Sequence, residues 1–262
     1  MLNIGFIGCG NMGSIIAMAV NKSQKECKFF LSDLNHQNAN SLSCETGGKV
    51  CDNIEIAKSC DFIFLAVKPN IIPLVLKEIA PHLKKDAVVV SMAAGVSSQS
   101  IANALNGNAV IRIMPNTPAA VGMGVILYTP NGANNDMLEL FLELLGNAGS
   151  LVNIDETLID AATAVSGCSP AYAYMFIDAI AKGGAESGVP YKEALKLAAL
   201  TVKGAAEMVL KSDISPEKLC QNVCSPGGST IEGVKVLENS GFSDNVNECI
   251  QAAYKRTKEL SN

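Results

Sequence analysis

The sequence lacks long apolar runs and is poor in charged and aromatic residues. Its 262 residues are 17% charged and 5% aromatic but 48% hydrophobic, which is enough apolar material for a folded core. Continuous apolar runs, such as residues 62–67, fall far short of the roughly 18 residues of a membrane-spanning helix. The N-terminus also lacks a basic region followed by a long apolar stretch. We therefore expect a globular protein of the cytoplasm with no membrane partner.

Clusters of basic residues are missing as well. Lys plus Arg is 20 against 25 for Asp plus Glu, and no basic run is longer than Lys84-Lys85. A nucleic-acid surface needs clustered cations, and a membrane-surface helix needs a basic face. The sequence therefore predicts neither kind of partner.

Side chains suited to acid–base catalysis are scarce. With only two histidines in the sequence, His36 and His82, a serine–histidine–aspartate triad is not credible. The nine cysteines are odd in number and irregularly spaced, which is typical of free thiols in a reducing compartment. Cys220 and Cys224 could face each other on a helix, but they lack further ligands, so we expect no metal site. Hydride transfer with a bound cofactor fits this composition, because it asks little of side chains.

The first part of the chain alternates between strand-like and helix-like segments. Several strands are apolar at consecutive positions, which indicates a parallel sheet covered by helices on both faces. The predicted strands are 2–7, 27–31, 61–67, 87–91 and 109–114, and the predicted helices are 11–21, 35–42, 71–79 and 97–105. This order is the βαβ pattern of a doubly wound α/β fold.

After about residue 155 long helical stretches replace the strands. The predicted helices are 171–188, 190–211, a short one from Pro216, 227–239 and 243–260. Their wide apolar faces favour burial against a second copy of the chain. We predict a Rossmann-like, dinucleotide-binding domain over residues 1–155 and an all-helical domain over residues 156–262.

A glycine motif follows the first strand. Gly8, Gly10 and Gly13 form a GxGxxG pattern between a strand and a helix. In dinucleotide-binding folds the first glycine makes a tight turn, the second admits the pyrophosphate and the third allows close packing, while the helix N-terminus faces the anion. We expect a dinucleotide here; the alternative is a glycine-rich turn in a fold that lost its ligand.

Asp33 ends the second strand and bears on the choice of cofactor. An acidic residue at this place accepts a hydrogen bond from the ribose 2′-hydroxyl, which favours NADH. No Arg or Lys lies between Lys28 and Lys49 to pair with a 2′-phosphate. Two alternatives stay open: Ser32 hydrogen-bonds a phosphate, or Asp33 caps the next helix in competition with Asn35.

Further segments follow strands at the carboxyl edge of the sheet, where ligands bind in open α/β folds. They are 66–69, 93–95 and 112–118. Lys68 either holds a phosphate or ribose or is simply solvated. Asn116 and Thr117 stand between two prolines, so they form either a rigid functional pair or a structural turn.

Two segments of the second half do not have the pattern of ordinary helix. Residues 166–172 contain small residues before a long helix, which is typical of a hinge. Residues 224–230 place two glycines and two hydroxyls at a helix start, where free N–H groups suit a carboxylate. The alternative for this second segment is a glycine-rich cap.

Together these segments resemble the pyrroline-5-carboxylate reductases over nearly the whole chain. The resemblance rests on FIGCGNMG at 6–13, AVKP at 66–69, RIMPNTP at 112–118, SGCSPAY at 166–172 and PEKLCQNVCSPGGSTIEGVKVLE at 216–238. It implies that the second half is a dimerisation and substrate-binding domain.

The resemblance also implies roles for individual residues. The pyrophosphate would be held by Gly8, Gly10, Asn11, Met12 and Gly13. The rest of the cofactor cleft would contain Ser32 near the adenosine ribose, Asn53 near the adenine, Ala66, Val67, Lys68 and Pro69 along the cleft, and Ala94 and Asn116 near the nicotinamide. The substrate loop, residues 225–230, would bind the substrate through Ser225, Gly227, Gly228, Ser229 and Thr230.

The implied reaction is reduction of L-1-pyrroline-5-carboxylate to L-proline, the last step of proline biosynthesis. NADPH or NADH would deliver hydride to C5 of the cyclic imine, and the Thr230 hydroxyl would hydrogen-bond the ring nitrogen. The substrate loop would face the nucleotide domain of a partner subunit, so the unit would be at least a homodimer, with decamers of five dimers common.

Two other functions remain open. One is a related reductase acting on another cyclic imine or on a β-hydroxyacid. The β-hydroxyacid dehydrogenases need a catalytic lysine on a helix of the second half, for which Lys182 could be mistaken, but the loop at residues 225–230 speaks against this alternative. The other is a nucleotide-sensing protein that kept the fold and lost turnover.

Overall fold

The computed structural model describes residues 1–260. Ser261 and Asn262, the last two residues of the predicted second domain, lie outside the described residues. The chain divides into two units. The first contains residues 1–168 and 253–260, and the second contains Ser169–Ala252.

One eight-stranded sheet forms the centre of the first unit. Its strands are β1 (Leu2–Ile7), β2 (Cys27–Ser32), β3 (Lys49–Val50), β4 (Phe62–Leu65), β5 (Val88–Ser91), β6 (Val110–Met114), β7 (Gly124–Asn131) and β8 (Gly149–Asn153). They lie in the order β3-β2-β1-β4-β5-β6-β7-β8, and β6 and β7 are the one antiparallel pair. The strand order reverses direction between β1 and β4, which is where doubly wound sheets bind ligands.

Helices cover both faces of this sheet. They are α1 (Asn11–Asn21), α2 (His36–Thr46), α3 (Asn53–Ser59), α4 (Ile72–Ile79), α5 (Ser98–Ala104), α6 (Asn135–Leu145) and α7 (Ile159–Ser166). Phe62 and Phe64 of β4 belong to the core cluster that includes α1, α2 and α6, whereas Ile63 and Leu65 belong to the cluster with α3, α4 and α5. Successive side chains of a strand point to opposite faces, so the continuous apolar sequence of β4 is buried on both. The predicted doubly wound α/β class is confirmed.

The second unit is helical. Its helices are α8 (Ser169–Glu186), α9 (Tyr191–Lys211), α10 (Pro216–Val223), α11 (Ser229–Asn239) and the first part of α12 (Phe242–Leu260). Helices α8 and α9 pack closely, since a Cβ on Gly184 would lie 3.2 Å from the Cβ of Ala194. Within residues 169–252 the buried apolar side chains are those of Ala181, Ala194 and Ala198.

Many large apolar side chains of the second unit are exposed. Met175 of α8, Leu197 and Leu200 of α9, and Val236 of α11 are each more than half accessible. So many large exposed apolar side chains favour packing against another protein surface. Across the described part of the chain, none of the helices is both long and apolar enough to cross a membrane.

The structure differs from the predicted elements in several places. Strands β3, β7 and β8 and helices α3, α6 and α7 were not among the predicted elements. The predicted strand 61–67 is shortened to Phe62–Leu65, which leaves Ala66 and Val67 in the loop at the sheet edge. Residues 156–168, which the prediction assigns to the second domain, belong to the first unit, where Glu156 and Asp160 pair with Arg112 of β6. The functional division at residue 155 stays a prediction.

Candidate functional site

The glycine motif forms a tight loop between β1 and α1. Gly8 adopts φ +100°, and a Cβ there would lie 2.5 Å from the carbonyl oxygen of Ala66. A Cβ on Gly13 would lie 2.3 Å from the carbonyl oxygen of Gly8. Both positions therefore require glycine, the first for its backbone conformation and its contact with the β4 loop, the second for close packing.

Gly10 is different, because the space beside it is open. A Cβ on Gly10 would meet nothing within 4 Å, and Gly10 is the N-cap of α1 without a side-chain cap. The first N–H groups of α1, which include those of Asn11 and Met12, lie at the positive end of the helix dipole. The open glycine and the uncapped helix start fit a pyrophosphate.

Asp33 is bonded to the backbone on both of its carboxylate oxygens. The N–H of Cys9 donates to Oδ2 at 2.7 Å, and the N–H of Asn35 donates to Oδ1 at 2.8 Å. Asn35, and not Asp33, is the N-cap of α2, and its side chain accepts from the N–H of Gln37. The carboxylate of Asp33 therefore fixes the glycine loop against the end of β2.

A chain of polar side chains extends from the end of β2. The Ser32 hydroxyl donates to Asn53 Oδ1 at 2.7 Å, and Asn53 Nδ2 donates to Glu78 Oε2 at 2.8 Å. Asn53 is the first residue of α3, and Glu78 lies near the end of α4. The predicted pair Ser32 and Asn53 is thus brought together, and Glu78 joins it without any signal in the local sequence.

The loop after β4 continues the carboxyl edge of the sheet. The Ala66 N–H donates to the Ile7 carbonyl at 2.8 Å, which holds the loop beside β1. Pro69 begins a 3₁₀ turn, Pro69–Ile71, and the exposed Lys68 precedes that turn. Ala94 lies in the corresponding loop after β5.

Asn116 is buried, with 6% of its surface exposed, and both ends of its side chain are occupied. Oδ1 accepts from the Val125 N–H at 2.8 Å, and Nδ2 donates to the Ser166 carbonyl at 2.8 Å. The side chain thus joins the end of β6 to β7 and to the end of α7. This favours the structural alternative for its side chain, and the Asn116 carbonyl accepts from the Ala119 N–H at 3.1 Å.

A buried ionic cluster was not foreseen from the sequence. Arg112, 4% exposed, pairs through Nη1 with Glu156 Oε1 and through Nη2 with Asp160 Oδ1, each at 3.2 Å. Glu156 also accepts from the N–H and hydroxyl of Ser98 at 2.7 and 2.6 Å. Burial alone would raise the pKa of Glu156, but these hydrogen bonds and the Arg112 charge lower it below its usual value. The sequence signal that could have indicated this cluster is the position of Arg112 between apolar residues of a strand.

A cavity of about 510 Å³ lies against this cluster. Arg112 and Asp160 line it together with Gly95, Val96 and Ser97 of the loop after β5. It therefore adjoins Ala94, at the end of the cleft where the sequence predicts the nicotinamide.

The substrate loop forms a turn that leads into α11. The Gly228 N–H donates to the Ser225 carbonyl at 2.9 Å, and Gly227 adopts φ +70°. Proline followed by a positive-φ glycine is the pattern of a type II turn. Gly228 is the N-cap of α11 and no side chain caps the helix, while Thr230 is exposed in its first turn. An uncapped helix start with adjacent hydroxyls can bind a carboxylate.

Comparison with known proteins places the chain in a family. Residues 156–260 match the family model described as pyrroline-5-carboxylate reductase dimerisation, and residues 3–95 match one described as NADP oxidoreductase, coenzyme F420-dependent. The pyrroline-5-carboxylate reductase of Escherichia coli K12 is 40% identical over 267 residues, which cover 98% of each chain. The chain belongs to the pyrroline-5-carboxylate reductase family. Its dimerisation segment indicates that it self-associates.

Solved structures of the family share this fold. The pyrroline carboxylate reductase of Plasmodium falciparum, solved with NADP bound, is 32% identical, with a TM-score of 0.87 over 100% of this chain and 98% of that one. The Streptococcus pyogenes 1-pyrroline-5-carboxylate reductase is 30% identical, with a TM-score of 0.89 over 98% of both chains.

Lys182, the residue on which the β-hydroxyacid alternative depends, lies on α8. Its ammonium pairs with Asp178 at 2.7 Å, one helical turn away, and Asp178 also accepts from the Tyr191 hydroxyl at 2.8 Å. The hydrogen bond from Lys182 to Asp178 raises the pKa of the lysine. An exposed, paired ammonium fits a surface ion pair better than a general base.

Proposed function

We propose that the chain reduces L-1-pyrroline-5-carboxylate to L-proline, the final step of proline biosynthesis. The observation that carries the proposal is the full-length identity with pyrroline-5-carboxylate reductases, which extends over both the nucleotide loop and the substrate loop. When bound, a reduced nicotinamide supplies the hydride that C5 of the imine accepts.

The first unit provides the cofactor cleft. Gly8, Gly10, Asn11, Met12 and Gly13 hold the pyrophosphate at the start of α1. The remaining contacts come from Ser32, Asp33 and Asn53 at the adenosine, Ala66, Val67, Lys68 and Pro69 along the cleft, and Ala94 and the backbone of Asn116 at the nicotinamide. The open space at Gly10 supports this assignment, because it lets the pyrophosphate approach the backbone.

The substrate loop binds the imine. Backbone N–H groups at the start of α11 hold the substrate carboxylate. The loop residues that bind the substrate are Ser225, Gly227, Gly228, Ser229 and Thr230. The Thr230 hydroxyl hydrogen-bonds the ring nitrogen, which carries a proton when C5 is electrophilic. The main contribution of the protein is then to hold the two reactants in register.

The working unit is a homodimer in the cytoplasm, and five dimers form a decamer. Functionally, residues 1–155 bind the dinucleotide and residues 156–262 mediate dimerisation and bind the substrate. The exposed apolar side chains of α8 and α9 support self-association. Nine free thiols support a reducing compartment.

The experiment is to follow the loss of reduced-nicotinamide absorbance with purified protein and pyrroline-5-carboxylate. We expect a rate that requires the imine and saturates with it. A folded protein that binds a cofactor but does not oxidise it in the presence of the imine would contradict the proposal and favour a sensor. If the protein reduced a different cyclic imine but not pyrroline-5-carboxylate, that other imine would be assigned as the substrate.

A further inference from the structure

At the adenosine end of the cleft, side-chain hydrogen bonds link Ser32, Asn53 and Glu78. Ser32 donates its hydroxyl to Asn53, and Asn53 donates its amide to Glu78. A carboxylate only accepts hydrogen bonds, so the amide nitrogen of Asn53 must face Glu78 and its oxygen must face Ser32. The Ser32 hydroxyl proton and one of the two amide N–H groups of Asn53 are therefore engaged within the protein.

Negative charge also collects at this end. Glu78 is exposed beside Asn53, and Asp33 directly follows Ser32. No lysine or arginine occurs in residues 29–48, which include the loop after β2 and all of α2, and the one histidine there, His36, is exposed. Lys49 of β3 is paired with Glu55. A 2′-phosphate at this end would thus face the carboxylates of Asp33 and Glu78 with no lysine or arginine supplied by residues 29–48, whereas a 2′-hydroxyl can donate to either carboxylate.

We propose that Glu78 is a specificity-determining residue that makes the cofactor cleft select NADH over NADPH. This rests on the proposed function only in that the cleft binds a nicotinamide dinucleotide. Glu78 acts in two ways: it accepts one amide N–H of Asn53, and it repels a 2′-phosphate. Asp33 adds to the repulsion from the end of β2.

The test measures equilibrium binding of two cofactor fragments, ADP-ribose and 2′-phospho-ADP-ribose, by isothermal titration calorimetry. We expect wild-type protein to bind ADP-ribose at least about tenfold more tightly, as repulsion from two nearby carboxylates implies. Glu78→Gln should reduce this preference about fivefold, because it removes one charge while its carbonyl oxygen can still accept from the Asn53 amide. Glu78→Lys should reverse the preference.

The matched control is Glu139→Gln, which removes the same charge from an exposed position on α6 and should leave the ratio unchanged. Saturable binding of ADP-ribose and an unchanged melting temperature will show that the Glu78 variants are folded. Equal or tighter binding of 2′-phospho-ADP-ribose by the wild-type protein would overturn the proposal, as would a ratio insensitive to Glu78→Gln. The fragments carry no nicotinamide, so the result is independent of whether the imine is the substrate.

Discussion

The three glycines of the nucleotide loop have different physical reasons to be glycine. At Gly8 and Gly13 a side chain would collide with backbone of the protein itself. At Gly10 the protein leaves room, and only a ligand at the backbone would be displaced. Stability and cofactor binding are therefore separable at this one residue.

Gly10→Ala should leave folding intact and impair the cofactor site. We expect a melting temperature at or slightly above that of the wild type, since alanine restricts the unfolded chain at a position with φ −72°. Cofactor affinity should fall about tenfold or more, because the methyl group occupies the space that the pyrophosphate needs. Calorimetry with ADP-ribose measures the affinity, and Gly146→Ala, with equally open surroundings, is the control. Unaltered affinity would show that the pyrophosphate does not approach Gly10.

Thr230→Ala tests the role of the hydroxyl at the start of α11. The turnover number should fall roughly 10- to 100-fold if the hydroxyl stabilises charge at the ring nitrogen, while cofactor affinity stays the same. Steady-state kinetics and fragment binding together measure the two effects. Ser229→Ala is the neighbouring control, because Ser229 is assigned to the substrate through its backbone. Equal loss of turnover and cofactor binding would make Thr230 a structural residue.

Several elements of the first unit meet at the Arg112 cluster. Glu156 bonds to Ser98 at the start of α5 and to Arg112 of β6, and Arg112 also pairs with Asp160 of α7. Asn116 adds a second connection from β6 to the end of α7. These contacts hold α5 and α7 against the strand that leads to the nicotinamide end.

Glu156→Gln should destabilise the protein by about 1–3 kcal/mol at pH 7, because Arg112 loses a charged hydrogen-bond partner while remaining buried. The folded state lowers the pKa of Glu156 from its ordinary value of 4.5, so the carboxylate stabilises the fold above that pH. This contribution is lost as the pH falls through the lowered pKa. Urea denaturation between pH 7 and pH 3 should show the difference between variant and wild type shrinking with acid. A difference that does not depend on pH would mean that the Glu156 charge is not what stabilises the cluster.

Across the whole molecule, burial differs strongly between the two units. The first unit buries its apolar residues on both faces of the sheet, whereas in the second unit three alanines are the buried apolar residues. Leu200 of α9 is 57% exposed, and Leu197 and Met208 lie at helical spacing from it. A second copy of the chain can bury this surface.

Leu200→Asp should weaken self-association, because it places a charge in an apolar interface. Size-exclusion chromatography with light scattering should show a shift to smaller species. Asn103→Asp, which adds the same charge at an exposed position of α5, should leave the mass unchanged. An unchanged mass for Leu200→Asp would place the interface on another face of the second unit.

The local signals of the sequence determined the parts of this protein that depend on near neighbours in the chain. Continuous apolar runs predicted β1, β2, β4, β5 and β6, since burial on both faces needs no knowledge of the partner. The glycine spacing predicted the turn into α1, and the helical periodicity predicted the second half. Strands β3, β7 and β8 were not predicted. Strand β3 is only two residues long, and β7 and β8 contain glycine, proline or polar residues that weaken the strand pattern.

Tertiary structure alone decided which polar groups meet. Glu78 reaches Asn53 across 25 residues, and Ser98 reaches Glu156 across 58. Asn116 was predicted at the carboxyl edge of the sheet, but the hydrogen bonds of its side chain are made with β7 and α7. No periodic pattern in the sequence predicts the partner of a short polar side chain. That partner is determined by how the helices pack on the sheet rather than by sequence spacing.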